Sequence, residues 1–374
     1  MGARVCVITT VHPPFDPRVF ERGARSLRRA GYDVTLIAPH TQEEERDGVC
    51  IVALRRPRSR ALRILTGGWR AFFRALRVRS DVYHFHDPEF MPFGVLLQLL
   101  RRRPVIYDAH EDYPQHMLSK GWIPTPARRL ASRLVLFAEW VTCRTVACTI
   151  TPTPTLTERF VRMGARRAET VLNLPSADFL RIGEDADLPD PVDVIHVGSL
   201  SASRLEFLLD VAARVSTEHP HSRWAIVGIH DAALPQVETL VAARGLVDRV
   251  RIVGKVSHER IGEYLRISRL GVNHHPRERR FDVAIPVKVF EYMAAGLPVV
   301  SSELPLLRQL AGDDAIVYVD PGNRDAFATA ISSVLATPEL AGRLGREGGR
   351  LARERLNWAC EEPHFLKIYE ELIG

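Results

Sequence analysis

The sequence predicts an α/β protein made of two Rossmann-like domains, and three observations lead to this prediction. First, the chain has 374 residues, which exceeds the size at which a single hydrophobic core normally keeps growing. Second, short β-rich runs alternate with amphipathic segments along both halves, which is the pattern of a parallel sheet wound with helices. Third, the alternation is interrupted near the middle of the chain by an acidic stretch with glycine and proline.

The first half contains six strand-like runs, each short and rich in β-branched residues. They are VCVITT, DVTLIA, IVALRR, DVYHFH, PVIYDA and TVACTI. Segments over residues 19–30, 64–76, 89–100 and 128–143 have helical periodicity and are expected to be helices. Residues 1–176 are therefore expected to form the first Rossmann-like domain.

The second half repeats the alternation after the acidic stretch, which we assign as a linker over residues 177–192. The next strand-like runs are VDVIHVG, RWAIVG, RVRIVG, LGVNHH, PVVSS and AIVYV. They predict a second Rossmann-like domain over residues 193–355. Ligands of such sheets bind beyond the carboxyl ends of the strands, so site residues are expected there.

Composition places the chain among globular proteins, with 26% charged and 46% hydrophobic residues. No apolar run approaches the roughly 20 residues that span a bilayer, and no export signal opens the sequence. The five cysteines form no C-x-x-C pair and no zinc-like pattern with histidines. We therefore expect a cytoplasmic protein with reduced cysteines and no structural metal.

The net charge of +6 is unevenly distributed, because residues 55–79 hold nine arginines and no acid. Apolar residues fall at helical spacing among these arginines: Trp69, Phe72, Phe73 and Leu76 lie among Arg70, Arg74 and Arg77. This is a basic amphipathic helix that could lie on anionic lipid at the inner membrane face. A plain solvated face remains the alternative, whereas the lack of any nucleic-acid-binding signature disfavours DNA or RNA.

The most informative stretch is IPVKVFEYMAAGLPVV, residues 285–300. Pro286 suits the first turn of a helix and Gly296 suits its end. Lys288 and Glu291 are three residues apart and project to one side, toward the positive N-terminal end of the helix, where a phosphate would bind. The alternative is an ordinary surface pair of charges.

The pattern P-x-K-x-F-E-Y-M-A-x-G-x-P-V-V in this stretch resembles the donor-binding motif of the GT-B glycosyltransferases of family 4, the group 1 family. Three further stretches resemble the same family: TTVHPPFDPRVFERGARSLRRAGYDVTLIAPH, then DVYHFHDPEF with VIYDAHEDYP, and VDVIHVGSLSASRLEFLLDV. The resemblance implies GT-B architecture, in which two Rossmann-like domains face each other across a cleft. It also implies that residues 356–374 return to the first domain as a terminal helix.

The resemblance assigns His110, in YDAHED, to the histidine that projects near the donor sugar. Asp108, Glu111 and Asp112 surround it in sequence and could orient or charge its ring. His86, in HFHD, is a second candidate, with a strand-end structural role as the alternative. Further candidates for contact with the sugar or the acceptor are Asp16, Arg18 and Glu111.

The donor's diphosphate is assigned by the resemblance to Arg204 and Lys288. Arg204 would supply a bidentate contact and Lys288 a point charge, although a solvated first-turn arginine is the alternative for Arg204. The family's G-R-L turn is Gly198-Ser199-Leu200 here, so Ser199 replaces a guanidinium at the diphosphate.

The nucleoside is assigned to Lys255 and Val256, through backbone groups, and to Glu291, whose carboxylate would accept from the ribose hydroxyls. The family's E-x7-E pattern is incomplete, because Val283 stands where the first glutamate, which touches the sugar, is expected. Possible replacements are His275, Arg279 and Asp282.

The resemblance implies a retaining glycosyltransferase that moves a sugar from a nucleoside diphosphate sugar, with uridine the commonest base in the family, to a hydroxyl acceptor. The acceptor could be a glycan, a lipid-linked glycan or a small natural product. His110 and Glu291 are the candidate catalytic residues, and no metal or other cofactor is expected, since cationic side chains and helix dipoles can stabilise the leaving diphosphate. The alternative is a nucleotide-binding scaffold without transfer activity. A dehydrogenase is disfavoured, because no G-x-G-x-x-G follows the first strand.

Overall fold

The computed structural model describes residues 2–55, 60–121, 123–180, 190–278, 281 and 283–374. The chain forms two compact units, which we call the first unit (Met1–Asn173 with Glu361–Gly374) and the second unit (Leu174–Cys360). Each unit contains a parallel sheet wound with helices. The expected α/β fold class with two Rossmann-like parts is confirmed.

The sheet of the first unit has eight strands in the order β3-β4-β2-β1-β5-β6-β7-β8, parallel except for the β3–β4 pair. Its central strands are buried on both faces, as expected for runs rich in valine and isoleucine. The two short edge strands, β3 and β8, were not predicted from the sequence. The strands are β1 (Arg4–Ile8), β2 (Asp33–Pro39), β3 (Glu44–Arg46), β4 (Val49–Leu54), β5 (Val82–Phe85), β6 (Val105–Asp108), β7 (Cys148–Thr151) and β8 (Ala168–Thr170).

Four predicted segments of the first unit are helical, one of them with a different geometry, and two further helices, Tyr113–Ser119 and Pro154–Arg162, were not predicted. The expected helix over residues 19–30 is a π-helical segment (Pro17–Ala24) that continues into the α-helix α1 (Arg25–Arg29), and Asp16 caps its start. The remaining helices are α2 (Arg60–Arg77), α3 (Met91–Arg101), α4 (Tyr113–Ser119), α5 (Thr125–Thr145) and α6 (Pro154–Arg162).

The second unit contains a six-stranded sheet in the order β11-β10-β9-β12-β13-β14, with every pair parallel. Its strands are β9 (Val192–Val197), β10 (Trp224–Val227), β11 (Val250–Val253), β12 (Ser268–Asn273), β13 (Val299–Ser302) and β14 (Ile316–Val319). Its helices are α7 (Ala202–Glu218), α8 (Leu234–Ala242), α9 (His258–Arg266), α10 (Val287–Ala294), α11 (Pro305–Ala311), α12 (Arg324–Ala336) and α13 (Pro338–Glu354).

The last helix, α14 (Trp358–Ile373), belongs to the first unit from Glu361 onward. Its buried Tyr369 side chain contacts His84 of β5. Most of α14 thus lies in the first unit, whereas its first residues, 358–360, are grouped with the second unit.

The beginning of the expected linker over 177–192 is folded. Ala177–Leu180 forms a 3₁₀ turn, and the Phe179 side chain is buried with its ring 5.1 Å from that of His258. Apolar Phe179 explains this packing, which the acidic composition of the stretch obscured. Residues 181–189 lie outside the described residues. Among the helices that the structure describes, none combines the length and the apolar character needed to cross a bilayer.

Candidate functional site

Four side chains of the first unit converge beyond the carboxyl ends of its central strands, and we call them the first-unit cluster: Arg18, His86, Asp108 and His110. Arg18 donates from Nε and Nη2 to the two carboxylate oxygens of Asp108, at 3.1 and 2.6 Å. His86 Nδ1 lies 3.2 Å from Asp108 Oδ2 and 3.0 Å from His110 Nε2. The cluster therefore joins the π-helical segment that follows β1 to the ends of β5 and β6.

Burial governs the protonation of this cluster. Burial alone would raise the pKa of Asp108, but the Arg18 guanidinium, followed by His110 and His86, outweighs it and holds that pKa well below its usual range. For His110, burial lowers the pKa well below its usual value and prevails over the opposing effect of Asp108. The Asp108 carboxylate is thus ionised and the His110 imidazole neutral at neutral pH.

The acids near His110 in sequence behave differently from one another in the structure. Asp108 lies 3.7 Å from His110 Nε2. Glu111 pairs with His116, and Asp112 accepts from the backbone N–H of Gln115 to cap α4. Asp108 is thus the acid that lies beside the His110 ring, whereas Glu111 and Asp112 make local contacts with His116 and with the start of α4.

The loop after β1 brings a histidine that the sequence analysis did not single out. The His12 ring lies 4.8 Å from that of His110, and its Nδ1 lies 3.1 Å from Asp16 Oδ2. Burial opposes protonation of His12, but its hydrogen bond to Asp16 and the charge of Asp87 raise its pKa overall. His12 lies within the motif TTVHPPFDPR, but only its spacing to Asp16 could have identified it as a candidate site residue.

Asp87 is a second residue that the sequence analysis missed. One of its carboxylate oxygens, Oδ2, accepts from Thr9 Oγ1 at 2.8 Å and from the backbone N–H of Thr10 at 2.6 Å. These bonds fix the loop that follows β1, where this chain lacks the family's usual glycine pair. The loop is held by a buried carboxylate rather than by glycine geometry.

A metal ion fits poorly among these residues. Within the described residues, His84, His86 and Asp108 form a group whose ligand atoms lie within 4.8 Å of one another. However, both carboxylate oxygens of Asp108 already accept from Arg18, and a guanidinium at that distance opposes a second cation. The donor set suits an ion pair better than a metal centre.

The second unit has a different cluster where β9 ends and α10 begins, and we call Lys288, Arg204 and His196 the second-unit cluster. His196 Nδ1 lies 3.0 Å from the Val272 carbonyl oxygen, to which it donates, so Nε2 is left to accept from Lys288 Nζ at 3.4 Å. Gly198 follows β9 with a φ of +102°, and a Cβ built there would lie 2.9 Å from Lys288 Nζ. Glycine is favoured here by the left-handed backbone conformation, and it leaves room for the lysine end to approach.

The electrostatics of the second-unit cluster favour an anion. Burial and then the nearby Arg204 lower the pKa of Lys288 to about 7, although Glu291 acts in the opposite direction. Burial, followed by Lys288 and Arg204, also lowers the pKa of His196 well below its usual value. Cationic groups that suppress each other's protonation create a site where a bound anion would be strongly stabilising.

Arg204 uses its side chain differently from the expectation. Its Nε and Nη2 both donate to the backbone carbonyl oxygen of His274, with the Nε distance at 2.9 Å. The bidentate edge that we assigned to the diphosphate is therefore on a carbonyl group in this structure. The contact fixes the guanidinium beside Lys288 and contributes its charge to the cluster.

Glu291 is not part of a solvent-exposed charge pair, because only 6% of the residue is exposed. Its Oε1 lies 2.9 Å from His258 Nε2 at the start of α9. The Phe179 ring packs against the His258 ring, which is the partner of Glu291. His258 was not among the sequence candidates, since the two residues are 33 positions apart in the chain.

The other predicted residues are placed as follows. Ser199 is exposed directly after Gly198, and Lys255 and Val256 follow β11, exposed and half-buried respectively. His275 follows β12, where its backbone N–H donates to Ser302 Oγ at 2.9 Å. Arg279 and Asp282 lie outside the described residues.

Comparison with known protein families gives two matches, one to each half of the chain. A model described as glycosyl transferase 4-like domain matches residues 2–175, and a model described as glycosyl transferases group 1 matches residues 191–337. Together they cover most of the chain. The protein belongs to the group 1 glycosyltransferases.

Curated relatives of this group 1 glycosyltransferase match it over part of their length. An alpha-D-kanosaminyltransferase of Streptomyces kanamyceticus is 27% identical over 187 residues, which are 50% of this chain and 47% of the relative. A phosphatidyl-myo-inositol mannosyltransferase of Mycolicibacterium smegmatis is 27% identical over 156 residues, or 38% of this chain and 39% of the relative. The matched regions thus span about half or less of these relatives.

Solved structures match this group 1 glycosyltransferase along its whole length. Sucrose-phosphate synthase from Thermosynechococcus elongatus has a TM-score of 0.77 at 18% identity and covers 99% of both chains. Anabaena HepE in complex with UDP and glucose has a TM-score of 0.73 at 13% identity, covering 99% of this chain and 100% of that one. The expected GT-B fold is confirmed.

Proposed function

We propose that this protein transfers a sugar from a nucleoside diphosphate sugar, with UDP as the expected nucleotide, to a hydroxyl acceptor. The proposal includes retention at the anomeric carbon and no requirement for a metal or other cofactor. Family membership supports transfer as the reaction class, and the solved structure of HepE with UDP and glucose supports the donor class.

The observation that carries the proposal is the convergence of Lys288, Arg204 and His196 beside the Gly198 turn. A diphosphate needs cationic groups, helix N-termini and backbone space, and this place in the second unit offers all three. The Lys288 side chain lies on the second residue of α10, where the helix dipole adds to its charge. We assign the diphosphate to this cluster.

The buried Glu291 carboxylate is assigned to the ribose hydroxyls. His258 holds Oε1 at 2.9 Å, which fixes the orientation of the carboxylate while the second oxygen can accept from a hydroxyl group. A carboxylate held in this way binds rather than transfers protons. Ser199, Lys255, Val256 and His275 remain proposed contacts with the donor.

The first-unit cluster is assigned to the transfer step. A neutral His110 whose ring contacts His86 and His12 can donate or accept a hydrogen bond at a sugar without carrying charge. In a retaining transfer the departing phosphate can itself take the acceptor proton, so no separate protein base is needed. Asp108 and Arg18 would hold the histidines in place, and Asp16 and Glu111 remain proposed acceptor contacts.

The test is a panel of nucleoside diphosphate sugars, screened first by thermal shift and then by release of nucleoside diphosphate. Binding raises the melting temperature by mass action, so the true donor should give the largest rise and should also be hydrolysed slowly without an acceptor. A large rise with no release from any donor, even with an acceptor panel present, would favour a binding scaffold over a transferase.

A cytoplasmic location with peripheral membrane contact through residues 55–79 is also part of the proposal. In the described part of this stretch, Trp69 and Phe73 are exposed whereas Phe72 is buried. Arg74 pairs with Glu43 at 2.9 Å, which offsets part of the positive charge. The lipid-facing part of α2 is therefore narrower than the sequence pattern indicated.

A further inference from the structure

Exposed apolar side chains are concentrated on one layer of the first unit. The helices α2, α3 and α5 pack side by side, and they carry ten of the fifteen large hydrophobic residues that are exposed in the described part of the chain. The second unit contributes only Val247 to the same set. Because soluble proteins rarely leave extended apolar patches uncovered, this layer is expected to meet another apolar phase.

Helix α5 exposes its largest apolar side chains, although smaller apolar residues on it pack against the core. Its outward face carries Leu130, Leu134 and Phe137 at helical spacing, and they are 60%, 60% and 62% exposed. Its buried residues are Glu139, Thr142 and Cys143, two of which are polar. A helix that only covers the sheet would place its large apolar side chains on the opposite face.

The charge on this face has one sign. Arg129 and Arg133 are exposed among the leucines, and the Arg144 guanidinium lies 4.4 Å from the centre of the exposed Trp140 ring. The one acid of α5, Glu139, is fully buried, and Arg159 donates to it at 2.8 Å. The solvent-facing side of α5 thus combines cations with apolar groups and presents no acid.

We propose that the outward face of α5, extended by Leu99 and Leu100 of α3, is the surface by which this protein binds an anionic lipid bilayer. A helix of this composition lies in the interface, with its leucines among the acyl chains and its arginines at the lipid phosphates. Tryptophan, the residue type of Trp140, is enriched at the membrane–water interface. This surface goes beyond the proposed sugar transfer and differs from the expected arginine-rich stretch of α2.

Other partners match this face less well. Two copies of the chain meeting through it would bring Arg129 and Arg133 of each copy together, and like charges oppose such an interface. Nucleic acid would gain from the arginines, but a phosphate backbone offers nothing to Leu130, Leu134 and Phe137. An anionic bilayer satisfies both kinds of side chain.

The experiment is sedimentation of the full chain with vesicles of phosphatidylcholine alone or mixed with phosphatidylglycerol. We expect binding to the mixed vesicles. The double variant Leu134→Asp/Phe137→Asp should bind them about tenfold or more weakly, since it removes two inserted side chains, and Arg129→Gln/Arg133→Gln should lose about tenfold on mixed vesicles only. Val247→Asp, an equally exposed apolar position in the second unit, is the matched control and should bind like wild type.

Three results would overturn the proposal. The first is that the wild type does not bind mixed vesicles, and the second is that the α5 variants bind them as tightly as the wild type. The third is that the wild type is a dimer in sedimentation velocity and that Leu134→Asp dissociates it. Leu134 and Phe137 are both exposed, so the variants should keep the circular dichroism spectrum and melting temperature of the wild type. If the aspartate variant does not keep them, Leu134→Ser/Phe137→Ser is used in its place. Donor binding is measured separately by thermal shift, so a failure here leaves the proposed transfer untouched.

Discussion

The two units place ionisable side chains at their strand ends in opposite ways. In the first-unit cluster, the Arg18 guanidinium and the Asp108 carboxylate neutralise each other, and the neutral His110 lies beside them. In the second-unit cluster, the cationic groups Lys288 and Arg204 lie close enough for one to lower the pKa of the other. The first arrangement is complete by itself and is suited to holding groups in position, whereas the second is suited to receiving an anion.

The largest expected effect tests whether the first-unit cluster is held by its ion pair. Asp108→Ala leaves the Arg18 charge in a buried site, which should cost about 3–5 kcal/mol of unfolding free energy. Asp325→Ala, which breaks the exposed pair with Arg214, should cost about 1 kcal/mol or less. Urea denaturation at pH 7 measures both. Similar losses in the two variants would contradict a positioning role for the buried pair.

The next prediction separates transfer from binding. His110→Ala should lower kcat about 10²–10³-fold, as loss of one preorganised hydrogen-bond partner in a transition state does, with donor affinity little changed. Steady-state kinetics and donor titration give the two quantities. His364→Ala, at an exposed histidine of the same unit, should alter neither. If His110→Ala weakens donor affinity as much as turnover, the assignment of this histidine to the transfer step is wrong.

A smaller effect should show the charge of the second-unit cluster through pH. The pKa of Lys288 in the free protein is about 7, and a bound diphosphate stabilises its protonated form. Protons leave free Lys288 as pH rises through that value, so donor affinity should fall by up to about tenfold per pH unit above it. Calorimetric titration from pH 6 to 9 measures this fall together with proton uptake on binding.

Lys288→Met tests the same prediction from the other side. It should weaken donor binding about 10–100-fold at pH 6 and make the remaining affinity independent of pH. Lys367→Met, at an exposed lysine of the first unit, should reproduce the wild-type profile. A wild-type affinity that stays flat between pH 6 and 9 would show that this lysine does not bind the diphosphate.

The smallest expected effect concerns how Glu291 is held. His258→Ala removes one hydrogen bond to the carboxylate and should weaken donor binding about two- to tenfold. His258→Gln can place a donor near the same oxygen and should recover part of the loss. Donor titration at fixed pH distinguishes them, and a His258→Ala variant with wild-type affinity would mean that Glu291 needs no partner to bind.

Local patterns in the sequence were sufficient for the fold. The alternation of strand and helix runs predicted both sheets, and the Pro286 to Gly296 signals predicted α10 closely. The expectations failed at residues 17–24, where a π-helical segment takes the place of the expected first turns, and at the short elements β3, β8, α4 and α6, which were not predicted. Periodicity does not distinguish an α-helix from this variant, because both bury one face.

Partners distant in the chain could not be predicted in the same way. Glu291 meets His258 and Arg18 meets Asp108 across 33 and 90 positions, and no motif spacing encodes these contacts. The motif did identify Lys288, Glu291 and His110 as candidates. The motif could not show that the Arg204 guanidinium donates to the His274 carbonyl oxygen, because the position of that carbonyl group depends on where β12 ends.

The contact between Tyr369 and His84 makes the end of the chain part of the support beneath the first-unit cluster. The Tyr369 hydroxyl meets His84 Nδ1, while the opposite ring nitrogen, Nε2, lies 3.8 Å from Asp108. Tyr369 lies 285 positions after His84 in the chain. Cleavage before α14 would therefore remove a residue that braces the buried histidines, although the cut would lie far from them in the sequence.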